Sequence, residues 1–174
     1  AEELVAVLKA QSLTLGLAES CTGGWLSKII TDVSGASAIY NGGICSYSNE
    51  IKIKLLGVKP ETLRLYGAVS EQTAKEMANG ARKALNAHIG VGITGIAGPT
   101  SDDTSKPVGL IYVAVADKNK TLVTELRNNF TDEIRVSRDK IQNVLKSDLR
   151  KLLSREPLVF GIEAQSCACE CEKL

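Results

Sequence analysis

Apolar residues recur along the chain with two spacings, and the alternation between these spacings predicts helices and strands in turn. Helical spacing over residues 2–9 predicts a first helix, and the apolar run 13–18 predicts a buried strand. A turn of small residues then leads into a second helix, whose apolar face holds Trp25, Leu26, Ile29, Ile30 and Val33. A strand, a turn and a helix in this order are typical of a parallel α/β unit.

The rest of the chain continues this alternation and ends in a hairpin and a helix. Further helices are predicted over 49–56, from Pro60, from Ser70 and from Thr131 to Leu153, and further strands over 38–47, 88–94, 109–116 and 121–130. The last two strands are separated by a short polar turn, which predicts an antiparallel pair. The pattern therefore predicts an α/β fold, a three-layer α/β/α sandwich with a mixed, mostly parallel sheet.

Length and charge narrow the classes of function. The 174 residues suit a single domain, which we place at residues 1–154. A net charge of +1 argues against nucleic acid as a partner. No apolar run approaches the ~18–20 residues that cross a bilayer, so no membrane partner is expected. The acidic start Ala1–Leu4 does not resemble a signal peptide, and we expect a cytoplasmic location.

Three of the five cysteines crowd the last eight residues, as Cys167, Cys169 and Cys171. Their alternate spacing does not match the paired cysteines of a structural zinc site, and we expect residues 155–174 to form a poorly ordered tail. Soft-metal capture or redox cross-linking is the alternative. Cys21 and Cys45 are interpreted as reduced packing thiols.

The turn after the first strand is a candidate phosphate site. It combines the hydroxyls of Ser20 and Thr22 with Gly23 and Gly24, and a helix begins directly after it. Helix N-termini carry unpaired N–H groups and a partial positive charge, which favour a phosphate. The alternative is a capped helix after a tight turn.

A second segment carries a candidate nucleophile and base. Ser37 is followed by Tyr47 and Lys52, and a lysine can take a hydroxyl proton when burial lowers its pKa. Lys54 is the competing lysine, and either residue can instead be a solvated helix lysine. A serine triad could use only His88, the single histidine, and nothing around His88 favours that role.

The loop after the strand 88–94 is the third candidate. Thr94, Gly95 and Ala97 leave backbone N–H groups free for an oxyanion or a flat ring, or simply allow close packing. Arg135 and Arg138 are spaced to grip a phosphate or carboxylate together, or to form surface salt bridges. No His/Cys/carboxylate cluster indicates a metal, and the adjacent Asp102 and Asp103 are interpreted as solvated.

Six motifs together resemble the family of the CinA carboxy-terminal domain, also found as the nicotinamide-nucleotide amidohydrolase PncC. They follow in the family's order, as 18–24 (AESCTGG), 47–52 (YSNEIK), 56–58 (LGV), 67–71 (GAVSE), 95–99 (GIAGP) and 106–109 (KPVG). The resemblance covers residues 4 to about 153. One departure is the segment 100–105, which is TSDDTS where relatives usually carry a glycine-rich run.

The resemblance implies hydrolysis of the carboxamide of nicotinamide mononucleotide to nicotinate mononucleotide and ammonia, with no metal or cofactor. It implies functional roles for Ser20, Ser37, Tyr47, Lys52 and Thr94, and it places the family's arginine at Arg135, with Arg138 as the alternative. The expected partner is thus a small-molecule nucleotide. A homo-oligomer is left open, with apolar residues at 42–44 and 68–69 available for an interface.

Combining both arguments, we expect Ser37 to attack the carboxamide, Lys52 to act as general base and Tyr47 to orient it or to relay the proton to the departing ammonia. The exchange of roles, with Ser20 as nucleophile and Ser37 as ligand contact, is the alternative within this mechanism. A non-catalytic nucleotide-binding or regulatory module with the same fold is the alternative outside it, because of the altered segment 100–105. A general amidase is a third.

Overall fold

The structure, a computed structural model, describes residues 1–98, 101, 105–127 and 138–154. The helices in these ranges are α1 (Glu2–Ala10), α2 (Trp25–Thr31), a 3-10 turn (Ala36–Ala38), α3 (Asn49–Leu56), α4 (Pro60–Tyr66), α5 (Glu71–Ala84) and α6 (Arg138–Leu153). The strands are β1 (Leu15–Glu19), β2 (Tyr40–Cys45), β3 (Ile89–Gly95), β4 (Leu110–Ala116) and β5 (Thr121–Arg127).

The five strands form one mixed sheet in the order β2-β1-β3-β4-β5. Strand β1 pairs in parallel with β2 and β3, while β4 is antiparallel to both β3 and β5. The parallel centre and the terminal hairpin confirm the predicted fold class. The carboxyl ends of β1, β2 and β3 therefore meet at one edge of the sheet.

One face of the sheet carries large apolar side chains. Leu15 and Leu17 of β1 point to the same side as Val91, Ile93 and Val113, and all are at most 1% exposed. Helices α1, α2 and α6 cover this large-residue face, with residues such as Leu8, Ile30 and Leu145 packed into the same cluster. This face holds the main hydrophobic core.

The opposite face is lined by glycine and alanine and is covered by α5. A Cβ atom at Gly90 would lie 2.0 Å from the backbone oxygen of Ala78, and one at Gly92 would lie 2.5 Å from that of Ala74. Real Cβ atoms do not approach so closely, so the helix backbone rests directly on this small-residue face. Helices α3 and α4 extend the same layer and contact α5.

Most predicted elements are confirmed, and one strand is shorter than predicted at both ends. The strand predicted over 38–47 spans only Tyr40–Cys45, and a 3-10 turn that follows Gly35, at a φ of 84°, takes up residue 38. The last helix begins at Arg138 in the described part of the chain, and the predicted start at Thr131 lies outside it, as does the predicted tail 155–174.

Candidate active site

Ser20 stands at the carboxyl end of β1, where the sheet still holds its backbone. Its N–H donates to Ile93 O at 3.0 Å, so the parallel pairing with β3 extends one residue beyond the strand. Side chains alternate along a strand, which directs Glu19 to the large-residue face and Ser20 to the small-residue side. The Ser20 side chain is buried but lines a cavity at this edge.

Lys52 reaches Ser20 from α3. Ser48 begins this helix as its N-cap, with its hydroxyl accepting a hydrogen bond from Ile51 N at 3.3 Å. Lys52, one turn into the helix, points at the sheet edge and is only 1% exposed. Its Nζ lies 3.1 Å from Ser20 Oγ and donates to Ser46 O at 2.7 Å and Tyr47 O at 3.1 Å.

Burial sets the electrostatics of this lysine. In the described part of the chain no carboxylate forms an ion pair with Lys52, and burial lowers its pKa below the ordinary 10.5. The competing Lys54 is exposed on another side of the same helix. Lys52 is therefore the lysine that can act as a base towards a neighbouring hydroxyl.

The Ser20–Lys52 pair opens into a cavity of about 440 Å³. Its lining also includes Cys21, Tyr47, Asn49, Ala68, Val69, Thr94 and the loop 95–98. Thr94 is 1% exposed and its hydroxyl donates to Ala68 O at 2.7 Å, so that proton is not available to an oxyanion. Burial raises the pKa of the Cys21 thiol to about 12, which leaves it protonated and a poor nucleophile.

Ser37 of the same chain does not line this cavity. It lies in the exposed 3-10 turn before β2, whereas Ser20 follows β1. Because β1 and β2 are parallel, the two serines stand at opposite ends of the sheet. Within one chain this geometry separates Ser37 from Lys52 and places Ser20 beside Lys52, so it does not support the expected attack by Ser37 with Lys52 as base. His88, at the amino end of β3, accepts from Thr14 N–H and is equally remote.

The expected phosphate site at the start of α2 also needs correction. Glu19, 1% exposed, turns its own carboxylate onto this helix end and accepts from Leu26 N at 2.9 Å and from Ser27 N at 2.8 Å. The Ser27 hydroxyl donates to the same carboxylate at 2.6 Å. The Glu19 carboxyl group thus occupies the place predicted for a phosphate. Thr22, Gly23 and Gly24 do not line the cavity, and they shape the turn instead.

The other predicted site residues divide into those at the cavity and those outside the described chain. Tyr47, Thr94, Gly95 and Ala97 line the cavity with Ser20 and Lys52. Arg135 lies outside the described residues, as do Asp102 and Asp103, and for Arg138 only the backbone at the start of α6 is described. In the described ranges, no group of three or more His, Cys, Asp or Glu residues is placed to hold a metal ion.

Sequence reasoning missed several lining and supporting residues. The Ser46 carbonyl holds Lys52, and this serine is fully buried, with its N–H donating to Glu19 O at 2.8 Å. Ala68 and Val69, which the sequence left available for an interface, line the cavity. Their motif was visible in the sequence, but the tertiary contact that brings them to β3 was not.

These features define an α/β domain with a buried serine–lysine pair at the carboxyl edge of its sheet. The model of the CinA C-terminal domain family matches residues 1–153, and the chain belongs to this family. None of the described helices is long and apolar enough to cross a membrane.

Individual relatives agree with this assignment. The chain is 54% identical over 125 residues to a competence-damage inducible protein of Thermoanaerobacter pseudethanolicus, covering 72% of this chain and 30% of the relative. It is 44% identical over 152 residues to a CinA-like protein of Thermotoga neapolitana, covering 87% and 36%. The chain thus spans about a third of the length of these curated relatives.

A solved structure of a CinA superfamily protein agrees with the family assignment. A CinA superfamily protein from Enterobacter cloacae superposes with a TM-score of 0.80 at 32% identity, covering 86% of this chain and 88% of that one. The names of these three proteins give the family and competence damage, and they state no reaction.

Proposed function

We propose that this chain hydrolyses the carboxamide of nicotinamide mononucleotide to nicotinate mononucleotide and ammonia, with Ser20 as nucleophile and Lys52 as general base. The observation that carries the proposal is the 3.1 Å contact between Lys52 Nζ and Ser20 Oγ inside a cavity. The contact supplies a hydroxyl together with a base that can take its proton, which is the requirement for nucleophilic attack on an amide.

The contacts of Lys52 suit a neutral amine. A neutral amine has two N–H donors and one lone pair, and Nζ contacts two carbonyl acceptors and one hydroxyl. In the proposed reactive form, the N–H groups donate to Ser46 O and Tyr47 O, and the lone pair faces Ser20 Oγ to accept its proton. Burial favours this uncharged form by lowering the pKa of Lys52.

The reaction then follows in two half-reactions. Ser20 Oγ attacks the carboxamide carbon while its proton passes to Lys52 Nζ, and the resulting oxyanion collapses as Lys52 returns the proton to the departing ammonia. Water attacks the ester in the same way, with Lys52 as base, and releases the carboxylate and the free serine. We assign oxyanion stabilisation to backbone N–H groups of the loop 95–98 other than that of Ile96, which is bonded to Leu110 O.

The cavity is compatible with a mononucleotide. Its volume of about 440 Å³ falls within the range of ~300–1,000 Å³ typical of small-molecule sites. A cationic pyridinium ring near Lys52 would favour the neutral amine further. Because Glu19 occupies the start of α2, the 5′-phosphate is assigned to Arg135, or alternatively to Arg138.

Ammonia release from nicotinamide mononucleotide tests the proposal, with Lys52→Met compared against Lys54→Met. We expect saturable release in the wild-type protein, its loss in Lys52→Met, and its retention in Lys54→Met, which changes an exposed lysine of the same helix. Ser20→Ala and Ser37→Ala make the second matched pair. Loss of turnover in Ser37→Ala, with Ser20→Ala active, would reverse the assignment of the nucleophile.

The same assay separates the competing functions. Binding of the nucleotide without ammonia release would favour a non-catalytic nucleotide-binding or regulatory module. Release from free nicotinamide at a higher kcat/KM than from the nucleotide would favour a general amidase. Either result would contradict the proposed reaction.

A further inference from the structure

One wall of the cavity is the turn between α4 and α5, residues 66–70, which contributes Ala68 and Val69 to the lining. Side chains hold four successive carbonyls of this turn. Ser70 and Thr73 hydroxyls donate to Gly67 O at 3.1 and 2.8 Å, and the Thr94 hydroxyl donates to Ala68 O at 2.7 Å. The other two carbonyls belong to Tyr66 and Val69.

Lys106 holds both of these remaining carbonyls. Its Nζ donates to Tyr66 O and to Val69 O, each at 2.6 Å, across a separation of about forty residues in sequence. The amine also packs over Gly67, where a Cβ atom would lie 3.4 Å from Nζ. Ser70 and Thr73 tie the turn only to its own helix, whereas Lys106 ties both of its ends to the chain that leads into β4.

Lys106 lies outside the cavity, and its hydrogen bonds in the structure go to the turn rather than to Ser20 or Lys52. An ammonium group that donates to two carbonyls at the ends of a short turn limits how far the turn can move. The turn can therefore present Ala68 and Val69 to a ligand without first being ordered, which lowers the entropic cost of binding.

We propose that Lys106 is a positioning residue, which fixes the 66–70 turn as the wall against which the substrate binds. This inference rests on the proposed function and extends it to a residue outside the cavity. A residue of this kind sets the affinity for the substrate and leaves proton transfer between Ser20 and Lys52 unchanged.

Lys106→Met tests the inference, because methionine keeps the apolar stem and removes the donors. We expect KM for nicotinamide mononucleotide to rise about tenfold with kcat within about twofold of wild type, the pattern of lost ground-state binding. Lys106→Arg retains two donors and should bring KM back to within about threefold. Lys118→Met, which changes an exposed lysine in the turn between β4 and β5, is the matched control and should leave both constants unchanged.

Hydrogen exchange of the 66–70 amides gives a second measurement that does not depend on turnover. Exchange should be faster in Lys106→Met than in wild type, and unchanged in Lys118→Met. If Lys106→Met does not fold, Lys106→Gln takes its place, with a smaller rise in KM because its amide can hold one carbonyl.

The possible failures are distinguishable. An unchanged KM, a kcat that falls as far as kcat/KM, or unchanged exchange in a folded variant would each overturn the positioning role. If the wild-type protein binds the nucleotide without turnover, the dissociation constant replaces KM in the same comparison. If it neither binds nor hydrolyses the nucleotide, the proposed function fails, and hydrogen exchange alone decides whether Lys106 holds the turn.

Discussion

The two faces of the sheet differ in the size of the side chains that they carry. The large-residue face is filled by branched apolar side chains and is covered by three helices, whereas the small-residue face brings the backbone of α5 against glycine. Glu19 and Ser20, adjacent at the end of β1, fall on different sides of this division. Glu19 stabilises a helix of the large-residue face, and Ser20 joins the candidate active site beside the small-residue face.

Polar residues that are adjacent at the end of a strand, such as Glu19 and Ser20, can therefore have unrelated roles. Both residues are buried, and burial alone does not separate them. Their partners do, because the Glu19 carboxylate is fully used by N–H and O–H donors of α2, while the Ser20 hydroxyl meets an amine and an open cavity.

The largest expected effect comes from mutating Ser20 and Glu19 one at a time and comparing turnover with stability. Ser20→Ala should lower kcat at least about 1,000-fold, because the nucleophile is removed, while the free energy of unfolding changes by less than about 1 kcal/mol. Glu19→Gln should do the reverse, with about 2–3 kcal/mol of stability lost and kcat of the folded protein within about threefold. Chemical denaturation and ammonia release measure the two quantities. A Glu19→Gln protein that is stable but inactive would break the comparison.

The next largest effect is on the free energy of unfolding, when packing is changed at adjacent residues that face opposite sides of the sheet. Gly90→Ala adds a methyl group where the Ala78 carbonyl would be 2.0 Å away, and it should cost more than about 3 kcal/mol of unfolding free energy. Val91→Ala removes two methyl groups from the large-residue face and should cost about 2 kcal/mol. Guanidinium unfolding of both variants gives the values. If Gly90→Ala proves the milder change, α5 can move away and the small-residue face is not tightly packed.

The pH dependence of activity and of stability should follow Lys52. Its folded-state pKa lies below 10.5, and kcat/KM should rise up to about tenfold per pH unit until the amine is neutral. Between that lowered pKa and 10.5 the unfolded chain binds more protons, so the free energy of unfolding should also rise with pH, by at most about 1.4 kcal/mol per unit.

The Lys52→Met variant is the control for this pH effect. It should lose the rise in stability over that window while keeping the rest of the pH profile. An identical stability profile in the variant and the wild type would mean that Lys52 is not the titrating group.

The smallest effect concerns the cap of α3, the helix that carries Lys52. Ser48→Ala removes the hydroxyl that accepts from Ile51 N and should cost about 1 kcal/mol of unfolding free energy. This is less than the loss expected for Glu19→Gln, because Ser48 is exposed and accepts one hydrogen bond while Glu19 is buried and accepts three. Thermal unfolding of the two variants side by side checks the order.

The sequence predicts the fold class and several residues of the candidate site, because both depend on the order and spacing of residues along the chain. The apolar spacings predicted the layers, and strand order along the chain brought Ser20, Lys52 and Thr94 to one edge of the sheet. The start and end of α3 are local features too, since Ser48 supplies the capping hydroxyl and Gly57 the positive φ that ends the helix. These features are local, so the sequence carries them directly.

The choice between the two serines depended on topology rather than on local pattern. Ser37 precedes β2 and Ser20 follows β1, which places them at opposite ends of parallel strands. The order of the elements along the chain contains this information. The role of Glu19 and the anchoring of the 66–70 turn by Lys106 depend on contacts between distant segments, which spacing does not contain.

The backbone pairing that extends past β1 has a consequence for how this domain can diversify. Ser20 and Ser46 both donate their N–H groups to neighbouring strands, so the Ser20 hydroxyl and the Ser46 carbonyl, which form the centre of the candidate site with Lys52, belong to the rigid framework. The segments 66–70 and 95–98 border that centre without supplying either group. Variation confined to the turn 66–70 should therefore change which ligands the cavity accepts while the Ser20–Lys52 contact stays in place.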